Sequence, residues 1–179
     1  FELLELYGDA IITDKPLDID SPEMKAKRDD RSKVADFIIK DLEEAVDDLP
    51  ETVSSEDDGR LTKWAGYAFL SRVALYEGTW QKFRGNTERG VTLLDKAATA
   101  AKKVIDSKKY ELFKPAALGE FAYKYLFTLE NVQSNPANLT KADNKEYIFY
   151  RRHDETLSPI GINVTHGCLK NVHYINRKI

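Results

Sequence analysis

Cysteine is nearly absent from this sequence. Cys168 stands alone, so no internal disulfide can staple the chain and no cross-link framework can be inferred. By itself it reads as a small, half-buried thiol rather than a nucleophile. Long hydrophobic runs are missing too: nothing approaches the ~18 consecutive apolar residues of a membrane span. The opening Phe1-Glu2-Leu3-Leu4-Glu5-Leu6 is not the basic-then-apolar start of a signal peptide. The first residue is not Met, as expected of a processed chain or an excised part of a longer one, from which an export signal or lipid-attachment cysteine would have been cut away. An excess of charge of one sign is also lacking. Lys and Arg total 27 against 30 Asp and Glu, a net charge of −3. No broad basic field exists to attract phosphate backbones or anionic lipid, and nucleic acid is not an expected partner.

What is present suits a folded domain. Of 179 residues, 42% are hydrophobic, enough to bury a core and short enough for one domain over 1–179. Eight Phe, nine Tyr and two Trp supply bulky apolar surface, and a 32% charged fraction of nearly balanced sign would coat the outside.

Up to Asp30 the text is mixed, an ordered lead-in in which Ala10-Ile11-Ile12 reads as a brief extended piece. Val34, Phe37, Ile38, Leu42, Ala45 and Leu49 then recur at helical spacing, predicting an amphipathic helix ended by Pro50, with Asp36 and Lys40 as an i,i+4 pair. Residues 51–61 form an acidic loop; Glu56, Asp57 and Asp58 are contiguous and lack the alternating spacing of a calcium loop. After a cap at Thr62, Lys63 to Gly78 is apolar around most of its circumference, so this helix must be buried on several sides, with Trp64 in the core. Its small residues Ala65, Gly66, Ala68, Ser71 and Ala74 would let neighbouring helices approach closely.

Gly78 and Gly85 bracket Thr79 to Arg84, which reads as a connecting loop and the most ligand-like stretch in the chain. Sugar rings present flat CH faces that stack on aromatics, and planar cations bind their hydroxyls. Trp80, Phe83 and Arg84 are therefore the candidate ligand-binding residues, against the alternative that Trp80 simply closes the core. A second helix, capped at Thr87, places Leu94, Ala97, Ala98, Ala101, Val104 and Ile105 on one face. The pair makes an αα-hairpin a little over the ~34-residue tetratricopeptide (TPR) period. The expected class is mainly α, with TPR-like hairpins stacking as an α-α superhelix, a helical core over 31–110, irregular loops and little strand. Farther on, Leu118 to Leu129 reads as a turn and short helix, Asn131 to Asn144 as loop, and Tyr147-Ile148-Phe149-Tyr150 as strand-like. The tail over 153–179 has no periodicity and reads as irregular.

Motifs that carry chemistry are missing. There is no glycine-rich phosphate cradle, nucleophile elbow, paired-cysteine cluster or helical zinc-protease motif. His153, His166 and His173 are scattered through the tail without a register that gathers them, so no metal site, cofactor or catalytic residue is expected. With 30 acidic residues, nominating two as a glycosidase pair carries almost no information.

Several segments in order resemble one family. They are Tyr7-Gly8-Asp9-Ala10-Ile11-Ile12-Thr13-Asp14-Lys15-Pro16-Leu17, the helix from Arg31 to Ala45 with Leu49-Pro50 behind it, and Gly59 to Ala68 followed by Arg72 to Trp80. Ala100 to Ser107 and Asn144 to Phe149 extend the likeness over roughly residues 7–152. The chain resembles a central piece of a SusD/RagB-type protein. The resemblance implies TPR-like helix pairs with irregular excursions holding the ligand site, in a lipoprotein on the extracellular face of the outer membrane of Bacteroidetes. Such proteins are not enzymes; they cap a SusC-type TonB-dependent transporter and pass it oligosaccharides or, in the RagB branch, peptides. The membrane attachment would be through an N-terminal lipid anchor absent from this chain. No site motif is matched, so no binding residue carries over from the family. The tail from Gly167 to Ile179 does not read like the family's continuation and is expected to be a truncation, a divergent end or a shifted reading frame.

The leading functional expectation is thus non-enzymatic binding of an oligosaccharide or other nutrient for delivery to a transporter. A TPR-type scaffold that binds a protein through its helical faces comes second. A hydrolase with two carboxylates facing a cleft comes third.

Overall fold

The computed structural model describes residues 1–57, 59–125, 137–139 and 144–150. Helix α1 spans Glu2–Tyr7, α2 Arg31–Asp48, α3 Lys63–Phe83 and α4 Thr87–Asp106; a 3-10 segment, Ala116–Phe121, runs into the single turn α5, Ala122–Tyr125. The fold is mainly α and TPR-like. Among the described residues the β structure is one antiparallel bridge, Ala10 to Asp29, which bears out the extended reading of Ala10.

Local chemistry sets the helix ends. The Asp30 carboxylate accepts from the Ser32 backbone N–H at 2.8 Å and starts α2. The helix stops at Asp48, because the residue before Pro50 is pushed out of the helical region and Leu49 is extended. Thr62 Oγ1 accepts from the Ala65 N–H at 3.3 Å and caps α3 as expected.

The helix does not end at Gly78. It continues through Thr79–Phe83, so the expected loop carrying Trp80 and Phe83 is the last turn of α3. Gly78 is a contact glycine rather than a terminator: a Cβ there would meet the Gly90 carbonyl, Leu93 and Leu94, each at 3.1 Å. Reciprocally, a Cβ on Gly90 would lie 2.9 Å from the Lys82 backbone N and Cβ and 3.0 Å from the Gly78 carbonyl. The two glycines let α3 and α4 cross almost backbone to backbone. The turn itself falls at Gly85, whose φ of +89° suits a residue without a side chain. Asn86, rather than Thr87, is the N-cap of α4, and its side chain makes no capping bond. Its Nδ2 donates instead to Gln81 Oε1 at 3.1 Å, tying the turn to α3.

This crossing also rotates α4 from its expected register. Gly90, Leu93, Ala97, Ala100 and Val104 are buried, whereas Ala98 is exposed and Ile105 is 73% exposed. Helix α3 packs between α2 and α4, with Gly66 allowing the close approach of Val46 and Leu49. The central core joins Ile39 and Val46 of α2, Tyr67, Leu70 and Val73 of α3, and Leu93, Ala100 and Val104 of α4; Trp64 packs partly buried against it. Leu4, Ala10, Val34 and Ala35 make a smaller cluster, and Phe1 and Ile38 adjoin both. Burial of α3 is less complete than its composition implies, since Phe69 and Leu75 remain exposed.

The expected Asp36–Lys40 pair does not form. Asp36 accepts from Arg89 of α4 at 2.7 Å, and Lys40 turns to Glu44 at 3.7 Å. Helix-to-helix pairing wins because α2 and α4, both packed on α3, face each other across a groove that Arg89 spans to reach Asp36. No strand forms over 147–150: Ile148 packs against the central core, and the segment is held by bonds from Glu111 N–H to the Lys145 carbonyl and Phe113 N–H to Glu146 Oε2. Asp58, Cys168, the three histidines and the tail over 153–179 lie outside the described residues.

Candidate functional site

The C-terminal turn of α3 meets the N-terminus of α2 and the end of α1, and a cleft of about 470 Å³ opens there. Its wall includes Glu5, Tyr7, Asp9, Asp30, Arg31 and Trp80. Its foundation is a buried polar network that sequence reasoning missed. Glu77 is fully buried, and its Oε2 accepts from Arg31 Nε at 2.9 Å while Oε1 accepts from Gln81 Nε2 at 2.7 Å. A buried carboxylate is tolerable only when charge and hydrogen bonds compensate its lost hydration, and here both do. Gln81 Nε2 also lies 3.2 Å from Ser32 Oγ, and Arg31 Nη1 donates to the Leu4 carbonyl at 3.3 Å. Thus α1, α2, α3 and the turn into α4 are tied at one end. A partial sequence signal was available: Glu77 and Gln81 stand at i and i+4, on one face of a largely apolar helix.

Trp80 is half-buried at the rim. The Arg31 guanidinium carbon lies 4.1 Å from its ring centroid and that of Arg84 4.0 Å. Phe83, one helical turn on, is 82% exposed. The three residues singled out from sequence therefore share one helix face, at i, i+3 and i+4, rather than a loop. Trp80 touches both the cleft and the outer surface; Phe83 and Arg84 face solvent.

Asp9 and Asp30 of the cleft, and Glu77 beneath it, are already engaged. Asp9 accepts from the Arg31 backbone N–H at 2.9 Å, Asp30 caps α2, and Glu77 is shared by Arg31 and Gln81. These three are committed to structural bonds, whereas Glu5, the remaining carboxylate of the wall, has among the described residues no second free carboxyl beside it, as a general acid and base pair requires. Among the described residues no group of His, Cys, Asp or Glu is arranged to hold a metal ion, and no helix is long and apolar enough to cross a membrane. Perturbed titrations fall away from the cleft. Asp29 is held below the usual carboxylate value first by Lys33 and then by the Ile12 N–H. The Lys103 ammonium is raised by its bond to the Tyr67 hydroxyl, at 3.0 Å.

A second opening, between α2 and α4, has an acidic edge and a basic edge. Arg89, Lys96 and Lys103 recur every seven residues along α4; Arg89 pairs with Asp36 and Lys96 with Glu43, while Lys103 reaches Tyr67. These rungs span the groove, and Lys103 lies 4.4 Å from the centre of the Tyr67 ring. It offers no open aromatic platform.

The fold is that of a TPR-like helical-hairpin protein, and its cleft is walled by Tyr7, Trp80 and Arg31 together with the carboxylates of Glu5, Asp9 and Asp30. A family model described as SusD-like, "starch-binding associating with outer membrane", matches residues 1–75. A curated SusD-like protein of Bacteroides ovatus is 37% identical over 81 residues, 45% of this chain and 14% of that protein. The crystal structure of a SusD-like protein from Bacteroides fragilis superposes with a TM-score of 0.59 at 28% identity, over 86% of this chain and 25% of that one. The three comparisons agree on a likeness to SusD-like proteins, over residues 1–75 for the family model and over 86% of the chain for the solved structure. The chain spans about a seventh of the curated relative and a quarter of the solved one.

Proposed function

We propose that this chain is part of a non-enzymatic glycan-binding protein on the extracellular face of the bacterial outer membrane, which hands oligosaccharide to a SusC-type TonB-dependent transporter. The observation that carries the reading is the Trp80, Phe83 and Arg84 face beside a polar cleft: an aromatic plane to stack on a sugar ring, with hydrogen-bonding groups at its edge. The description of the matching family as starch-binding and outer-membrane associated supports both the ligand class and the location. Binding without turnover fits a cleft in which Asp9 and Asp30 are engaged by backbone N–H groups and the underlying Glu77 by Arg31, leaving Glu5 without a second free carboxylate to pair with among the described residues.

The test is calorimetric titration of the full chain with maltoheptaose. Trp80→Ala should weaken binding roughly two- to twelve-fold, the worth of an aromatic stack of about 0.5–1.5 kcal/mol, and the sugar should be recovered uncut. Unchanged affinity in Trp80→Ala would remove this face as the binding site, and release of shorter sugars would remove the non-enzymatic reading. The protein-scaffold alternative rests on the groove between α2 and α4, where a partner segment would have to break the Asp36–Arg89 and Glu43–Lys96 pairs.

A further inference from the structure

We propose that Arg84 is a removable cover on Trp80, which a ligand must displace before it can stack on the indole; this rests on the glycan-binding reading above. Two guanidinium groups lie over one ring, their central carbons 4.1 and 4.0 Å from its centroid. Two planar cations that close to one centroid need a face each, because sharing a face would overlap their N–H groups and set like charges in contact.

The two are held very differently. The Arg31 side chain is only 10% exposed and is anchored through Nε to Glu77 Oε2 and through Nη1 to the Leu4 carbonyl. It is a fixed backing for the ring. Arg84 is exposed, belongs to no ion pair among the described residues, and has as its hydrogen bond a 3.5 Å contact from Nη1 to the Trp80 carbonyl, at the limit of a useful distance. Its position is therefore maintained mainly by the stack itself. Trp80 has one face closed permanently and one closed reversibly.

The cover acts as a threshold. A solute that makes a single weak stacking contact does not repay the displaced cation, whereas an oligosaccharide with several contacts does. Arg84 is accordingly a specificity-determining residue whose removal strengthens binding, opposite in sign to the loss expected from a residue that contacts the ligand.

The experiment uses the full chain carrying Trp64→Phe, which leaves Trp80 as the sole tryptophan, with and without Arg84→Ala. Without ligand, acrylamide quenching of Trp80 fluorescence should increase in Arg84→Ala; unchanged quenching overturns the cover. With maltoheptaose, Arg84→Ala should bind about two- to five-fold more tightly, the release of an exposed cation–π contact. Weaker or equal binding overturns the cover even where quenching increases. Trp80→Ala separates the two readings: if it binds maltoheptaose like the parent, the site assigned to glycan falls, whereas the ligand-free quenching judges the cover alone.

Discussion

Replacing Glu77 by Gln should be among the most damaging neutral-for-charged substitutions in this molecule. The change keeps the side-chain shape but leaves the Arg31 cation, 10% exposed, without its counter-charge, 2.9 Å away in the parent. The one amide oxygen of the new side chain can accept from Arg31 Nε or from Gln81 Nε2, which donates to Glu77 Oε1 at 2.7 Å, but not from both. The new N–H₂ is therefore set against one of these donors. Gln81 cannot simply flip to accept, because its Oε1 is taken by Asn86 Nδ2. Breaking one side of a buried pair costs about 3–5 kcal/mol. For a chain of this size that is a fall of roughly 6–20 °C in melting temperature. The burial of both partners keeps solvent and salt from screening the effect. Urea unfolding followed by far-UV circular dichroism measures it, and a cycle with Arg31→Met and Glu77→Leu isolates the coupling. The apolar double variant should recover much of the loss, since neither buried charge is then left alone. A cost under about 1 kcal/mol for Glu77→Gln, the range of a surface pair, would refute the reasoning. So would a double variant as unstable as the sum of the two single ones.

Other expectations follow from the helix crossing and from the titrating groups. Gly90→Ala should destabilise the fold: helix propensity alone favours Ala by about 1 kcal/mol, but the new Cβ would lie 2.9 Å from the Lys82 backbone N and 3.0 Å from the Gly78 carbonyl, which cannot yield as a side chain would. A melting temperature above that of the parent would show that α3 and α4 do not cross this closely. Asp29 has a folded-state pKa lowered from 3.8 by Lys33 and the Ile12 N–H, so the unfolded chain binds the extra proton. Its contribution is complete above that value and is lost as pH falls through the lowered one; Asp29→Asn should flatten the acid limb of the stability curve, read by thermal melts across pH. Lys103 has the opposite sign: its pKa is raised from 10.5 by the Tyr67 hydroxyl, so its contribution is present below 10.5 and is lost as pH rises through the raised value. Tyr67→Phe should remove that alkaline loss.

The helical class and the major segments could be read from period and punctuation. Asp30, Thr62 and Pro50 act within a few residues of themselves, so their effect on α2 and α3 needs no knowledge of what packs nearby. The errors cluster where a residue's role depends on a distant neighbour. Gly78 looks like a terminator in one dimension and is a contact surface in three, because Gly90 lies against it. The same crossing turns Ile105 outward and Leu93 inward. Asp36 had a partner one turn away on its own helix and took Arg89 instead. Tyr147 to Tyr150 has strand composition but no neighbouring strand with which to exchange hydrogen bonds among the described residues, and composition alone cannot supply one.

For the site, residue types were legible and their arrangement was not. Trp80, Phe83 and Arg84 could be chosen because aromatics next to a planar cation suit a sugar ring. Their placement on one helix face follows from α3 continuing past Gly78. Arg31 lies 46 positions from Glu77, and nothing in either local sequence announces the pair.

By itself the sequence determined the helix-forming segments, the cap at Thr62, the break at Pro50 and the scarcity of catalytic motifs, all of which depend on short-range sterics and composition. Only the tertiary structure decided which charges are buried, which glycines are contacts, and that Trp80 lies between two guanidinium groups. Those features arise from groups far apart in the chain, whose meeting depends on the angle and distance at which α2, α3 and α4 pack.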